Sequence, residues 1–363
     1  MKKTVRRSLK SWLACAVIVP ILAACAVGSE DRVPDEGRGV AVDGLDATAN
    51  GMAVKLSAAK ASLGPSEGFS VTVTWTNGTQ RSLRLLKWNT LVDGIREPLF
   101  VVTRDGAAVE YIGRHYKRGA PRPQDYVVLE PGESLTNTVD LAEAYDLSVS
   151  GQYAVHFAEG AELVSNEVST WVEGRPWALD EGESDEATAL AADIKFSGGC
   201  KSGEKDKLRT AMKDAASHAS KAASYLNGSA GSKPRYTTWF GSYKASRWDT
   251  AQSHFKKIKD ALANKDYTLD CGCNEDNVYA YVYKNKPYKI YLCDAFWSAP
   301  AKGTDSKAGV MIHETSHFDV VASTEDHAYG QGDCKKLADD NPGKALDNAD
   351  SHEYFAENTP SQN

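Results

Sequence analysis

The segment HETSHFDVVASTEDHAYG, residues 313–330, contains three histidines, four acidic residues and one tyrosine. It begins with an HExxH pattern, in which His313 and His317 are four residues apart. On a helix this spacing stacks both imidazoles on one face, where they can reach the same tetrahedral ion. Glu314 would project beside the open coordination position and could move a proton there. The apolar run AGVMI that leads into the motif favours a buried helix, so the segment predicts a metal centre and not surface decoration.

A catalytic zinc site needs a third protein ligand and keeps a fourth position for water. The metzincin extension of the motif requires Gly and His where this chain has Val320 and Ser323, so that class is excluded. A later helix offers Glu353 or Glu357, and the stretch STEDHAYG offers Asp326. The residues alone leave the choice among these carboxylates open.

The stretch STEDHAYG resembles the signature of the aspzincins, the deuterolysin-type zinc metallopeptidases, in which HExxH is followed by GTxDxxYG. Four positions match this signature: Thr324, Asp326, Tyr329 and Gly330. The resemblance implies that Asp326 is the third ligand beside His313 and His317, and that one zinc ion is bound per catalytic domain. It also implies that Tyr329 donates a hydrogen bond to the oxyanion of the tetrahedral intermediate, a group that carries charge only in the transition state.

The chain departs from the aspzincin pattern at Ser323, where the pattern has glycine. If that turn needs a positive φ, serine carries some strain there, but the ligand assignment is unaffected. His327 competes with its neighbour Asp326, yet adjacent residues rarely reach the same ion. We expect Glu325 and Asp319 to be solvated or supporting groups.

The cysteines outside the N-terminal 25 residues all lie in the second half of the chain: Cys200, Cys271, Cys273, Cys293 and Cys334. Five is an odd number, so at most two disulfides form and one thiol is left over. A zinc ribbon would need paired CxxC spacings, which are missing, so disulfides are favoured. The residues by themselves do not fix the pairing.

From about residue 196 to its end, the chain is similar to the peptidyl-Lys metalloendopeptidases, the aspzincins that cut on the amino side of lysine. The shared features are the segments GGC, CGC and YLC and the terminal NADSHEYFAEN. This resemblance implies Cys200–Cys271 and Cys273–Cys293 as disulfides, with Cys334 free and buried.

The same resemblance implies that Asp350 and Glu353 line the pocket for the residue that follows the scissile bond. Three apart on a helix, the two carboxylates share a face and could bind one ammonium group. Without the resemblance, an acidic helix surface is the favoured alternative.

The beginning of the chain predicts export. Residues 1–25 read as a signal peptide, with a basic start and an apolar run. Its end, LAAC, resembles a bacterial lipobox with Cys25 as the lipidated residue, and plain signal-peptidase cleavage is the alternative. Residues 26–51 predict a flexible lead-in.

Two domains follow. Residues 52–173 show short alternating runs and turn signals, typical of an all-β, immunoglobulin-like sandwich that would serve as a pro-domain. Its histidines, His115 and His156, do not have the spacing of metal ligands, so we expect them to have structural or surface roles. Residues 174–195 form an acidic linker, and cleavage before Lys195 would release a domain of 169 residues. Residues 196–363 mix helical and hairpin patterns, which predicts an α+β zincin-type catalytic domain.

These features predict the precursor of an exported zinc endopeptidase that cuts Xaa–Lys bonds in polypeptides, with Glu314 as general base and acid toward zinc-bound water. The pro-domain would be its folding aid and intramolecular inhibitor. The product would be extracellular, and the precursor could be attached to the bacterial envelope only through an N-terminal lipid. The net charge of −7 and the lack of a basic stretch argue against a nucleic-acid partner. The alternatives are a deuterolysin-like enzyme of broader specificity, or a surface lipoprotein that binds a partner and carries an inert zincin domain.

Overall fold

The computed structural model describes residues 47–49, 51–65, 67–159, 163–174 and 193–362. The predicted signal peptide, Cys25 and most of the lead-in and linker lie outside these residues. In the part of the chain that is described, no helix combines the length and apolar character needed to cross a bilayer.

The N-terminal domain is built mainly from strands. They are β1 (Ala47–Ala49), β2 (Met52–Ala58), β3 (Ser62–Leu63), β4 (Ser70–Asn77), β5 (Leu83–Leu86), β6 (Phe100–Arg104), β7 (Ala107–Ala108), β8 (His115–Arg118), β9 (Tyr126–Leu129), β10 (Ser134–Asp140), β11 (Gly151–Glu159), β12 (Leu163–Val164) and β13 (Val168–Val172). Short 3-10 turns lie at Lys87–Asn89, Pro123–Asp125 and Leu141–Glu143.

Two sheets of this domain share one hydrophobic core. One has the strand order β1-β2-β4-β10, and the other has β3-β13-β11-β6-β7 with β12 beside β11. Strand β4 shows how alternating residues build this core. Its Val71, Val73 and Trp75 are buried, while the threonines between them face outward. The β-rich character predicted from the alternating pattern is confirmed. An immunoglobulin-like topology remains a prediction.

The C-terminal domain combines helices with a sheet. Its elements are β14 (Ile194–Ser197), α1 (Ser202–Leu226), α2 (Pro234–Phe240), α3 (Ala245–Asn264), β15 (Tyr267–Asp270), β16 (Val278–Val282), β17 (Lys289–Leu292), α4 (Asp294–Ser298), α5 (Lys307–His317), α6 (Gly330–Asp340), α7 (Pro342–Leu346) and α8 (Ala349–Glu357). Two disulfides, Cys200–Cys271 and Cys273–Cys293, cross-link the sheet region, and Cys334 is free and buried. The pairing implied by the family resemblance is confirmed.

Helix α5, which carries HExxH, is buried along its whole length. It packs against α8, α1 and α3 and against strand β16. The side chain of Ser306 accepts a hydrogen bond from the backbone N–H of Gly309 at 3.0 Å and so caps the helix. The apolar residues before the motif therefore fix α5 in the core, as their pattern predicted.

Strand β8 is the exception to the predicted division into two domains. It belongs by sequence to the N-terminal domain, but it pairs antiparallel with β16 and completes the sheet β14-β15-β17-β16-β8. Every residue of β8 is buried. The alternation expected for a sandwich strand is absent because β8 is enclosed on both faces. At the other edge, the predicted processing site Lys195 lies within β14, paired with Thr268.

Candidate active site

Three ligand-type side chains converge at the end of α5. The Nε2 atoms of His313 and His317 are 3.1 Å apart. One carboxylate oxygen of Asp326 lies 3.3 Å from His313 Nε2, and the other lies 3.4 Å from His317 Nε2. Ligands bonded at about 2.0–2.2 Å to a tetrahedral zinc are roughly 3.3–3.6 Å from each other. Both Asp326 oxygens are buried without a hydrogen-bond partner, which is the state expected of an atom that awaits a cation.

The second nitrogen of each ring faces an oxygen on the far side. His317 Nδ1 donates to the backbone carbonyl of Thr324 at 2.8 Å. His313 Nδ1 lies 2.8 Å from Asp350 Oδ1. Such contacts fix ring orientation and make Nε2 the ligand atom. The pair is therefore presented to a metal by its surroundings as well as by the helical spacing.

The charges of the site favour a cation. Burial opposes ionisation of Asp326, but His317 and His313 outweigh it and hold the pKa of Asp326 well below its usual value. Burial lowers the pKa of His317 to about 4, so this ring is neutral and free to bind a metal. The residues present fit a zinc ion with two imidazole ligands and one carboxylate ligand.

The turn that delivers Asp326 contains the position where the chain departs from the family pattern. Ser323 has a φ of 53°, in the left-handed region that the glycine of the pattern would favour. Lys284 Nζ donates to the Ser323 carbonyl at 3.0 Å, and the Ser323 hydroxyl donates to Asp319 at 3.1 Å. The strain predicted for this serine is present, and these contacts hold the turn in place.

Two more predicted residues lie at the site. Glu314 is fully buried, and burial raises its pKa to about 8 against the opposing effects of His313 and Lys117. Neither of its oxygens has a partner in hydrogen-bond geometry. Tyr329 donates its hydroxyl hydrogen bond to the backbone carbonyl of Tyr116, a residue of β8, at 2.8 Å. Tyr329 thus contacts the carbonyl of the Tyr116–Lys117 peptide bond, and Glu314 lies buried on α5 next to His313.

The predicted lysine pocket is filled by the protein itself. Lys117 Nζ lies 2.7 Å from Asp350 Oδ1, 3.1 Å from Glu353 Oε2 and 3.2 Å from Asp305 Oδ1. The lysine side chain is only 1% exposed. Burial disfavours its charge, but Asp350 and Glu353 outweigh burial and hold the pKa of Lys117 well above its usual value. The ring of Tyr354 lies 5.2 Å from Nζ.

The backbone of β8 runs along the site as an added strand. Its register on β16 places His115 opposite Val282, Tyr116 opposite Tyr281 and Lys117 opposite Ala280. Addition of an extended peptide to a sheet edge is a common mode of peptide recognition. The β8 segment is therefore an extended strand that pairs with β16 beside the site.

Two residues were missed by sequence reasoning. His115, which was expected to be structural, is buried with a ligand atom within 4.8 Å of those of His317 and Asp326. Asp305 joins the lysine pocket from the loop before α5. Neither has a sequence signal, because a ligand pattern within one segment cannot show a partner from a distant one.

The competing candidates lie elsewhere. His327 Nε2 pairs with Asp347 at 2.8 Å, at the surface. Glu353 Oε2 lies 3.6 Å from Nδ1 of His313, the nitrogen that faces away from Asp326. Glu357 accepts hydrogen bonds from the backbone and hydroxyl of Ser306. Among the carboxylates weighed, Asp326 alone faces both Nε2 atoms.

Comparison with known proteins agrees with this geometry. Residues 225–357 match a family model described as lysine-specific metallo-endopeptidase, an aspzincin family. The chain is 43% identical to an extracellular protease of Aeromonas hydrophila over 83% of this chain and 91% of that one. It is 47% identical to a peptidyl-Lys metalloendopeptidase of Pleurotus ostreatus over 45% of this chain and 96% of that one. A solved zinc peptidase from Grifola frondosa is 46% identical over 45% of this chain and 100% of that one, with a TM-score of 0.44.

Proposed function

The chain belongs to the aspzincin family of zinc metalloendopeptidases, and we propose that it is the precursor of an exported enzyme that cuts polypeptides on the amino side of lysine. Its relative in Aeromonas hydrophila is named an extracellular protease, which supports export. Its relative in Pleurotus ostreatus is named for lysine specificity. Lipid attachment at Cys25 remains a prediction from the sequence.

The observation that carries the lysine specificity is the placement of Lys117 and of the peptide bond before it. The ammonium group lies among carboxylates inside the domain, while the carbonyl of Tyr116 accepts a hydrogen bond from Tyr329. A bound Xaa–Lys peptide would need both contacts at once. A pocket this buried and this negative selects a long cationic side chain, because an uncharged one would leave the carboxylates without a partner.

The residues divide the hydrolysis among them. His313, His317 and Asp326 would hold the zinc ion, which would supply Lewis-acid chemistry at the site when bound. Glu314 takes a proton from the attacking water and passes it to the departing amine of the lysine. The Tyr329 hydroxyl donates to the oxygen that becomes negative as the carbonyl carbon turns tetrahedral.

The N-terminal domain acts in this proposal as the inhibitor of the uncut chain. It keeps β8 beside the proposed zinc ligands and the lysine pocket. Ion pairs also join it to the 275–277 loop of the catalytic domain. These are Arg96–Glu275 at 2.7 Å, Arg114–Glu275 at 3.1 Å and Arg122–Asp276 at 2.8 Å. While these contacts persist, no other lysine can enter the pocket.

Release would follow proteolysis at the junction, and cleavage before Lys195 remains our prediction. Because Lys195 pairs with Thr268 within β14, the end of this strand must detach before the bond can enter an active site. A second molecule of the enzyme, already free of its inhibitor, could make this cut.

Mapping the cleaved bonds tests the proposal. The processed enzyme should cut unfolded casein so that nearly every new N-terminus is lysine. Glu353→Gln should weaken this preference, whereas Asp347→Asn, at an exposed carboxylate beside His327, should leave it intact. Cuts without a preference for lysine would support the broader, deuterolysin-like alternative. Zinc-free, inactive protein would support the binding-module alternative.

A further inference from the structure

We propose that His115 is a fourth protein ligand of the zinc ion in the uncut chain, where it occupies the coordination position that catalysis requires for water. This inference rests on the proposed role of the N-terminal domain as an inhibitor. It assigns to that domain a second action, on the metal, beside the filling of the lysine pocket.

The position of the His115 ring carries the inference. The side chain is 2% exposed, and its ligand atom groups with those of His317 and Asp326 within 4.8 Å. The centroids of the His115 and His317 rings are 5.0 Å apart. His115 Nε2 is buried with no hydrogen-bond partner. A buried polar atom in a native protein is nearly always paired, so this orphan nitrogen, like the two oxygens of Asp326, calls for a partner such as a cation.

The other nitrogen of His115 also faces an oxygen, at a longer distance than in His313 and His317. His115 Nδ1 lies 3.5 Å from Glu325 Oε2. Glu325 is itself held by Lys284, whose Nζ donates to Oε1 at 2.5 Å. In His313 and His317, too, Nδ1 faces an oxygen, and the Nε2 atoms of those two rings face Asp326. A carboxylate or carbonyl behind a histidine is the usual support of a metal ligand.

Strand geometry explains how one short segment reaches both places. Residues two apart on a strand point to the same face, so His115 and Lys117 lie on the side that faces α5. Lys117 enters the carboxylate pocket and His115 reaches the metal position, while the Tyr116 carbonyl between them meets Tyr329. In this arrangement His115 would bind the metal, the Tyr116 carbonyl takes the oxyanion position and Lys117 fills the lysine pocket.

The consequence is chemical protection of the segment. Four protein ligands make a closed zinc site, which is typical of structural zinc, whereas a catalytic site keeps one position open. With His115 as the fourth ligand, a bound zinc ion would have no position for the attacking water, and this would protect the Tyr116–Lys117 bond although Tyr329 contacts its carbonyl. Departure of β8 would open the position and the pocket together.

Coordination can be measured directly in the full chain carrying Glu314→Ala, which prevents self-processing. Zinc K-edge absorption should show three imidazoles and one carboxylate. In the same background, His115→Phe keeps a ring in the site and should show two imidazoles with an added light-atom ligand. Zinc transfer to a chelator should be at least roughly tenfold faster, since loss of even a supporting contact of a ligand costs about 10–100-fold in metal affinity.

The matched control is His156→Phe, a histidine of the same domain whose only ion-pair partner among the described residues is Glu167 at 4.0 Å. It should show three imidazoles and unchanged zinc transfer. Two imidazoles in the Glu314→Ala chain with His115 intact would overturn the proposal without comparison with any His115 variant. That result would leave lysine specificity standing, because specificity is read from the cleaved bonds of the processed enzyme and not from the metal.

Discussion

Lys117 and Asp350 are 233 residues apart in the sequence, yet their charged atoms are 2.7 Å apart. The same carboxylate oxygen lies 2.8 Å from Nδ1 of His313. In our proposal Asp350 therefore links two functions, because one oxygen contacts the lysine and also lies beside the proposed metal ligand His313. Its neighbour Glu353 contacts the lysine at 3.1 Å and lies farther from His313, at 3.6 Å.

This difference predicts unequal effects of two substitutions in the processed enzyme. Asp350→Asn should reduce zinc affinity about 10–100-fold, because it weakens the support of His313, and should also impair cleavage before lysine. Glu353→Gln should lower kcat/KM for lysine substrates by a similar factor while zinc affinity stays near that of the wild type. Zinc competition with a chelator and steady-state kinetics on one lysine peptide measure both. Equal loss of zinc in the two variants would contradict this division of roles.

Removal of His115 as a zinc ligand should make the Tyr116–Lys117 bond susceptible to hydrolysis. In a chain with Glu314 intact, His115→Phe should allow hydrolysis between Tyr116 and Lys117, and N-terminal sequencing should find a fragment that begins at Lys117. His115→Phe combined with Lys117→Met should remain uncut there, since the pocket loses its ammonium. An intact Tyr116–Lys117 bond in a folded, zinc-loaded His115→Phe chain would show that something other than the metal ligand protects it.

Release of the catalytic domain should depend on its own activity. Glu314→Ala removes the proton-transfer group, which is worth about 10²–10⁴ in rate, so the purified chain should retain its junction near Lys195. The wild-type chain should yield an N-terminus at Lys195 under the same conditions. Sequencing of both products decides the matter, and processing of the Glu314→Ala chain without any other protease would rule out self-cleavage.

The lysine pocket requires a glycine on the helix that faces it. A Cβ on Gly309 would lie 2.2 Å from Glu357 Oε1 and 2.7 Å from Glu353 Oε1. Gly309→Ala should therefore lower the free energy of unfolding by about 1–3 kcal/mol, as overpacking does. Gly332→Ala on α6 is the control, because an added Cβ there meets nothing within 4 Å and alanine favours a helix by roughly 0.5–1 kcal/mol. Urea unfolding of both variants should show opposite shifts in the midpoint.

Two histidines beneath the site should make the fold sensitive to acid. Burial lowers the pKa of His254 to about 4 and that of His352 to about 3. His352 Nδ1 donates to the Asn348 carbonyl, so its Nε2 is free to accept from His254 Nδ1 at 3.0 Å. Both rings are thus neutral when folded, while the unfolded chain takes up protons below about pH 6.5.

The stabilising effect of these neutral rings is complete above about pH 6.5 and is lost as the pH falls toward 4. The expected loss is on the order of 2 kcal/mol per histidine. Urea unfolding at pH 7.5 and pH 5 should therefore show a decrease that is smaller in His254→Gln. An identical pH dependence in the variant would contradict the assignment of this effect to the pair.

The sequence by itself determined the parts of the site that are local. His313 and His317 are brought together by the rise of one helix, and the turn after it delivers Asp326 nine residues later. The resemblance to a known family added the disulfide pairing, which the structure confirms. The placement of the two histidines depends on the geometry of one helix, so spacing and residue type are enough to predict it. The disulfide pairing joins distant residues and was predicted only through the resemblance.

Tertiary structure alone decided what fills the site. His115 and Lys117 reach it because β8 pairs with β16. This pairing is made by backbone hydrogen bonds, so the side chains of neither segment indicate it. The position of Glu353 was also decided by tertiary structure, since this residue faces the lysine and Asp326 faces the two Nε2 atoms. Contacts between residues this far apart depend on how whole elements pack, and no pattern within one element records which distant strand it will meet.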